Sequence, residues 1–255
     1  IRQLGLDPAK PAIAHASLQA FGEVRGGAQS LLGALLAHQP RLMMPTHTYK
    51  TMVIPEDGPS GNGTYYGTGK DLNAMAEFFT LDMPADPLMG VLPETLRKHP
   101  QAARSHHPIL SFAGVGVAEA LEAQTLEEPL APIRVLLEQD GWVLLLGVDH
   151  SVNTSIHYAE KLAGRKQFTR WALTAQAVVE CPGFPGCSLG FEKAAPALAE
   201  ITREVHIGPA RVRALPLRDM TLIITNLIGE DPLALLCDDP SCERCAATGE
   251  SAMTG

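Results

Sequence analysis

Positive charge is scarce. The 255 residues include 20 Lys and Arg against 28 Asp and Glu, for a formal net charge of −8. Such a surface repels phosphate backbones, which excludes general nucleic-acid binding. Long hydrophobic runs are missing as well. The longest, such as Trp142 to Val148, are far too short to cross a bilayer, and no charged-then-apolar leader opens the chain. These absences lead to the expectation of a soluble, cytoplasmic protein with no membrane partner. Ile1 takes the place of an initiating Met, so a short preceding piece is expected. The five cysteines are an odd number, which argues against a disulfide framework. No repeat, low-complexity stretch or dividing linker is present, and no Gly-x-Ser-x-Gly elbow marks a serine hydrolase.

What is present suits one core. Hydrophobic residues make up 45% of the chain and charged ones 19%, and 23 Gly with 20 Pro imply long, defined loops. Pro11 to His15 reads as a strand, and Ala28 to His38 as a helix with Leu31, Leu32, Leu35 and Leu36 on one face. Arg41 to Pro45 reads as a second strand, parallel to the first. Thr46 to Lys70 has no period and is rich in Gly, Pro, Thr and Asn, the mark of a functional loop. Further helices are predicted over Met89–His99, Val115–Ala123, Pro132–Asp140, Thr154–Leu162 and Ala194–His206. Strands are predicted over Ile109–Ala113 and Trp142–Val148, the latter apolar enough to be buried on both faces. The expected fold is a single α/β domain over residues 1–255, with a central mixed or mostly parallel sheet, flanking helices and long substrate-binding loops.

The chemistry concentrates where the Trp142–Val148 strand turns into the next helix, because ligands in open α/β sheets bind beyond the carboxyl ends of strands. His157 sits one turn into that helix, and Glu160, three residues on, shares its face. A carboxylate beside a His holds one tautomer and favours its use as a base. Asp149 and His150 lie in the turn itself.

The stretch Leu145, Gly147, Val148, then Asn153-Thr154-x-x-His157-x-Ala159-Glu160, resembles the aminoglycoside 3-N-acetyltransferase family. Other segments resemble it in order: His15-Ala16-Ser17-Leu18, Gly26-Gly27-Ala28, Met44-Pro45-Thr46-His47-Thr48, Asp86-Pro87-Leu88-Met89-Gly90, Arg104-Ser105-His106-His107-Pro108, and Glu180 through Cys187-Ser188. The resemblance implies transfer of acetyl from acetyl-CoA to the 3-amino group of an aminoglycoside, conferring antibiotic resistance, by a monomer or homodimer. It makes His157 the general base. Glu180 is the first candidate to orient it, since the resemblance places an acidic residue there, and Glu160 is the second, on helix geometry. The segments that resemble the cofactor cleft contribute Ser17, Leu18, Gly22, Ser105 and His107, with Arg104 as a phosphate partner. Amides after His15, or the Ser17 hydroxyl, are candidate oxyanion donors. Glu56, Asp57, Asp149 and His150 are expected to face the acceptor, carboxylates pairing with ammonium groups.

Cys242-Glu243-Arg244-Cys245 is a Cys-x-x-Cys knuckle. With Cys237 and either Cys181 or Cys187, of which Cys187 is the first choice, it supplies four candidate thiolates for a structural zinc remote from His157. Competing readings are a same-fold acetyltransferase acting on another amine, a zinc-stapled binding protein without catalysis, and a thioester hydrolase.

Overall fold

The computed structural model describes residues 2–254. Its strands are β1 (Ala12–Ala16), β2 (Leu42–Pro45), β3 (Met52–Val53), β4 (Ala103–Arg104), β5 (Phe112–Val115), β6 (Trp142–Leu146), β7 (Phe168–Leu173), β8 (Val178–Phe184), β9 (Arg203–Ile207) and β10 (Ala210–Pro216). Its α-helices are α1 (Gly27–Leu36), α2 (Lys70–Ala74), α3 (Val91–Arg97), α4 (Ala118–Glu122), α5 (Ala131–Glu138), α6 (Thr154–Leu162), α7 (Ala195–Leu198), α8 (Leu217–Glu230) and α9 (Glu243–Thr254).

A seven-stranded sheet runs in the order β4-β5-β2-β1-β6-β10-β9, and β3, β7 and β8 form a second, antiparallel sheet. The larger sheet is mixed. β1 pairs in parallel with β2 and β6, and the outer pairings are antiparallel. Strand alternation divides the core between two faces. Ile13, Val143 and Leu145 pack with α5, α6 and α8, whereas Ala14, Leu144 and Leu146 pack with α1 and α3.

The parallel trio positions the site. His15 lies beside Leu145 and Ala16 beside Leu146, so the loops after β1 and β6 leave the sheet at the same edge. β2 ends nearby and delivers His47. Gly147 makes the junction possible: its φ is +71°, and a Cβ there would stand 2.3 Å from the Ala20 Cβ.

The helix predicted through His206 is a correction. Helical structure ends at Ile201, and Arg203–Ile207 is an edge strand paired with β10. Its valine and isoleucine alternate with Glu204 and His206, the period-two spacing of a strand that the helical reading overlooks. Part of the Thr46–Lys70 loop is β3. The rest is pinned to β7, where the Asn62 side chain accepts from the Thr169 amide at 2.8 Å and donates to its carbonyl at 2.9 Å. No helix of the described residues is long and apolar enough to cross a membrane.

Candidate active site

A cleft of about 870 Å³ opens at the carboxyl ends of β1, β2 and β6. His15, Ser17, Leu18, His47, Tyr49, Thr154 and His157 line it, and Phe184, Pro185, Gly186, Ser188, Leu189 and Arg244 form part of its wall. The volume lies in the range of small-molecule sites.

Local sequence sets the position of His157. The Asn153 side chain accepts from the Ser155 amide at 3.1 Å and starts α6, while Asp149 caps the preceding turn through the Ser151 amide at 2.9 Å. One turn into α6, the His157 Nδ1 meets the Glu160 Oε2 at 2.7 Å, and the Glu160 Oε1 accepts from the Arg165 Nη1 at 2.8 Å. Side-chain exposures of 10% for His157, 3% for Glu160 and 4% for Arg165 make this a buried relay open only at the imidazole end. Arg165 is held in turn by the carbonyls of Pro232 and Ala234, both at 2.7 Å. The Phe191 ring packs edge-on against His157, with centroids 4.7 Å apart. A carboxylate at Nδ1 keeps the proton on that nitrogen, so Nε2 is left as the lone-pair acceptor.

The carboxylate bonded to His157 is therefore Glu160, and not Glu180. Glu180 is exposed on β8 and its Oε1 accepts from the Trp171 Nε1 at 3.4 Å. An i,i+3 pair within one helix needs no tertiary placement, whereas Glu180 sits in the smaller sheet with its side chain turned to solvent.

Of the residues expected at the cofactor, Ser17 and Leu18 line the cleft. Gly22, Arg104, Ser105 and His107 do not, and each has a structural occupation. Exposed Gly22 closes the turn after β1 with φ of +70°. Arg104 donates to the carbonyls of Thr46, Leu81 and Met83 and to the Ser111 hydroxyl. The Ser105 hydroxyl accepts from the Phe112 amide at 2.9 Å. The His107 Nδ1 accepts from the amides of Ile109 and Leu110 at 3.1 and 3.0 Å.

The acceptor carboxylates are also placed elsewhere. Glu56, Asp57 and Asp149 are exposed outside the cleft lining, and His150 is buried behind it, its Nδ1 3.2 Å from the Asn153 side chain. Loop carboxylates gain more from water than from an interior position, and nothing in a sequence of this kind distinguishes the two settings. The described lining contains no carboxylate, and Arg244 is its only Lys or Arg.

Sequence reasoning assigns no role to Arg165, His15, His47 or Arg244. Arg165 follows the end of α6, outside the i,i+3 and i,i+4 spacings that would flag it. The two histidines stand in segments that resemble the family, His15 near the end of β1 and His47 two residues after β2, but neither signal names a role. Burial, with smaller contributions from His150 and His157, lowers the His15 pKa to about 3; burial likewise lowers His47 to about 3. Burial also brings His107 and His150 to about 4. With values this low, all four imidazoles are uncharged near neutral pH.

These shifts predict acid sensitivity. Each folded pKa lies below the unfolded value of about 6.5, so the unfolded chain takes up protons first as pH falls through that window. Stability is full above the unfolded pKa and drains away towards the folded values. The urea midpoint should fall steadily from about pH 6.5 to about pH 4. A midpoint that stays flat across that span would show these histidines to be solvated.

The four cysteines expected at a metal are assembled: Cys187, Cys237, Cys242 and Cys245 bring their sulfurs within 4.8 Å of one another. Cys181 is buried apart from them in the smaller sheet.

Fold and site together define a class: an α/β protein with a His–carboxylate–Arg relay facing a ligand cleft at the ends of parallel strands. Comparison with known proteins narrows it. The family model for aminoglycoside 3-N-acetyltransferase matches residues 13–228, and the chain belongs to that family. Aminoglycoside N(3)-acetyltransferase IX of Micromonospora chalcea is 33% identical over 177 residues, covering 64% of this chain and 59% of that protein. Enzyme VII of Streptomyces paromomycinus is 33% identical, over 63% of this chain and 57% of its own length. The chain thus spans under two thirds of the length of these relatives. The apoenzyme of aminoglycoside acetyltransferase AAC(3)-IVa superposes with a TM-score of 0.75 at 27% identity, covering 97% of this chain and 93% of that one.

Proposed function

We propose that the protein transfers an acetyl group from acetyl-CoA to an amine of an aminoglycoside, with His157 as general base. The observation that carries this reading is the buried Glu160–His157 bond with the imidazole facing the cleft. Support comes from family membership and from AAC(3)-IVa, a mutant of which has been solved in complex with a gentamicin (TM-score 0.76, 27% identity, 97% of this chain and 93% of that one).

Bound acetyl-CoA supplies an acetyl thioester. The His157 Nε2 removes the proton that the amine sheds as its nitrogen bonds to the acetyl carbon, and returns it to the departing sulfur. Glu160 fixes the ring and stabilises the imidazolium, as the carboxylate of a hydrolase triad does. The Ser17 amide is already committed to the Leu146 carbonyl at 3.0 Å. The donors left for a carbonyl oxygen gathering charge are the Ser17 hydroxyl and the first amides of the turn at Leu18 and Gln19. A zinc ion at Cys187, Cys237, Cys242 and Cys245 would stand apart from this proton path and supply no step of it.

The carboxylate-free lining favours a second reading, the same chemistry on a less cationic amine. Thiol release from acetyl-CoA separates the two. With gentamicin, kanamycin or apramycin it should proceed with acceptor-dependent stoichiometry and give a monoacetylated product by mass. Release with simple primary amines and none with the antibiotics would establish the second reading. Release equal with and without any amine would make the protein a thioesterase.

A further inference from the structure

The four-thiol cluster joins three separate stretches of the chain, which are also tied by the Lys193 Nζ donating to the Leu236 carbonyl at 2.9 Å and by Leu235 in the core. Cys187 lies in irregular backbone after β8, Cys237 in irregular backbone after α8, and Cys242 and Cys245 flank the start of α9. The two irregular segments meet closely at Gly190, where a Cβ would stand 2.3 Å from the Leu235 carbonyl oxygen and 2.5 Å from that of Leu236. Two sulfurs already accept backbone amides: Cys187 from Leu189 at 3.5 Å and Cys245 from Cys237 at 3.4 Å. Four sulfurs within 4.8 Å of one another need only small rotations to reach the spacing of about 3.8 Å that tetrahedral Zn–S bonds of about 2.3 Å require.

We infer that Cys187, Cys237, Cys242 and Cys245 hold a zinc ion that clamps the wall of the cleft. Four protein thiolates leave no open position, so the site is structural. Its placement gives it a task. Cys187 stands between Gly186 and Ser188, both lining the cleft, and the knuckle between Cys242 and Cys245 carries Arg244 into the same lining. The Arg244 Nη1 donates to the Gly186 carbonyl at 2.9 Å, so the knuckle and the wall are bridged beside the metal as well as through it. The clamp fixes a cleft wall that β8 no longer supports. The metal assignment stands on the thiols alone; its value for catalysis rests on the acetyl-transfer reading.

The test uses the whole chain, expressed without a polyhistidine tag and dialysed against metal-free buffer. Elemental analysis should find about one zinc per chain. Cys237→Ser and Cys242→Ser should each lose most of it, and Cys181→Ser, a buried cysteine outside the cluster, should keep it. Cobalt substitution should give the visible bands of a tetrahedral tetrathiolate. Removal of zinc by a chelator should speed amide hydrogen exchange in residues 185–190 and 236–246, with little change in β1 and β6. That readout is independent of activity, so a failure of the acetyl-transfer reading leaves it intact. Less than about a tenth of a zinc per chain, or a mass four hydrogens lighter from two disulfides, overturns the metal. Stoichiometric zinc with unchanged exchange in 185–190 on chelation overturns the clamp.

Discussion

Replacement of His157 by Ala should cost acetyl transfer a factor of about 10² to 10⁴ in kcat, the usual worth of a general base. The melting temperature should hardly move. His157 is the cleft-facing end of its relay, and its truncation leaves Glu160 paired with Arg165 rather than stranded. His150 is the contrasting control. It is buried behind the cleft against the cap of α6, so His150→Ala should lower stability more than kcat. Retention of more than about a third of wild-type kcat in His157→Ala would assign the base elsewhere.

Glu160 carries the second large effect, on both stability and rate. Glu160→Ala strands the buried Arg165 guanidinium, and breaking one partner of a buried pair typically costs about 3–5 kcal/mol. For a chain of this size that is a fall of roughly 10 °C in melting temperature. Glu160→Gln keeps the shape and removes the charge, and kcat should drop by about a hundredfold or more as the imidazole loses its tautomer control. The two effects can be separated. Adding Arg165→Met to Glu160→Gln removes the orphaned charge, so stability should recover while kcat does not. Recovery of both would make Glu160 a structural residue only. Glu180→Gln, on the exposed face of β8, should change neither quantity.

Local pattern makes much of this architecture legible. The α6 boundaries, Thr154–Leu162, follow from the asparagine cap and the apolar strand before it, and the His157–Glu160 pair follows from helix spacing alone. The parallel β1–β2 unit is readable from a strand, a glycine-bearing loop and a leucine-striped helix. What escapes depends on distant partners. Arg165 reaches Glu160 across the end of a helix, and its other supports, Pro232 and Ala234, are far along the chain. Family likeness favours Glu180, yet strand alternation in β8 turns Cys181 inward and leaves the Glu180 carboxylate outside. Glu56 and Asp57 lie outside the described cleft lining, and a charge in a long loop gives no sign of which way the loop will face. The assembly of the four cysteines is easier to foresee, because a Cys-x-x-Cys knuckle limits geometry so tightly that only the remaining two thiols have to be found.

The central claim is that the proton leaves through His157, and the pH dependence of kcat/KM tests it most directly. Wild-type log kcat/KM should climb with a slope of about one along an acid limb and then level off, since the free enzyme must present a neutral imidazole. In His157→Ala that limb should vanish, leaving a low rate that follows only the deprotonation of the acceptor amine at higher pH. An acid limb of unchanged slope and position in His157→Ala would contradict the account, because a different group would then be taking the proton.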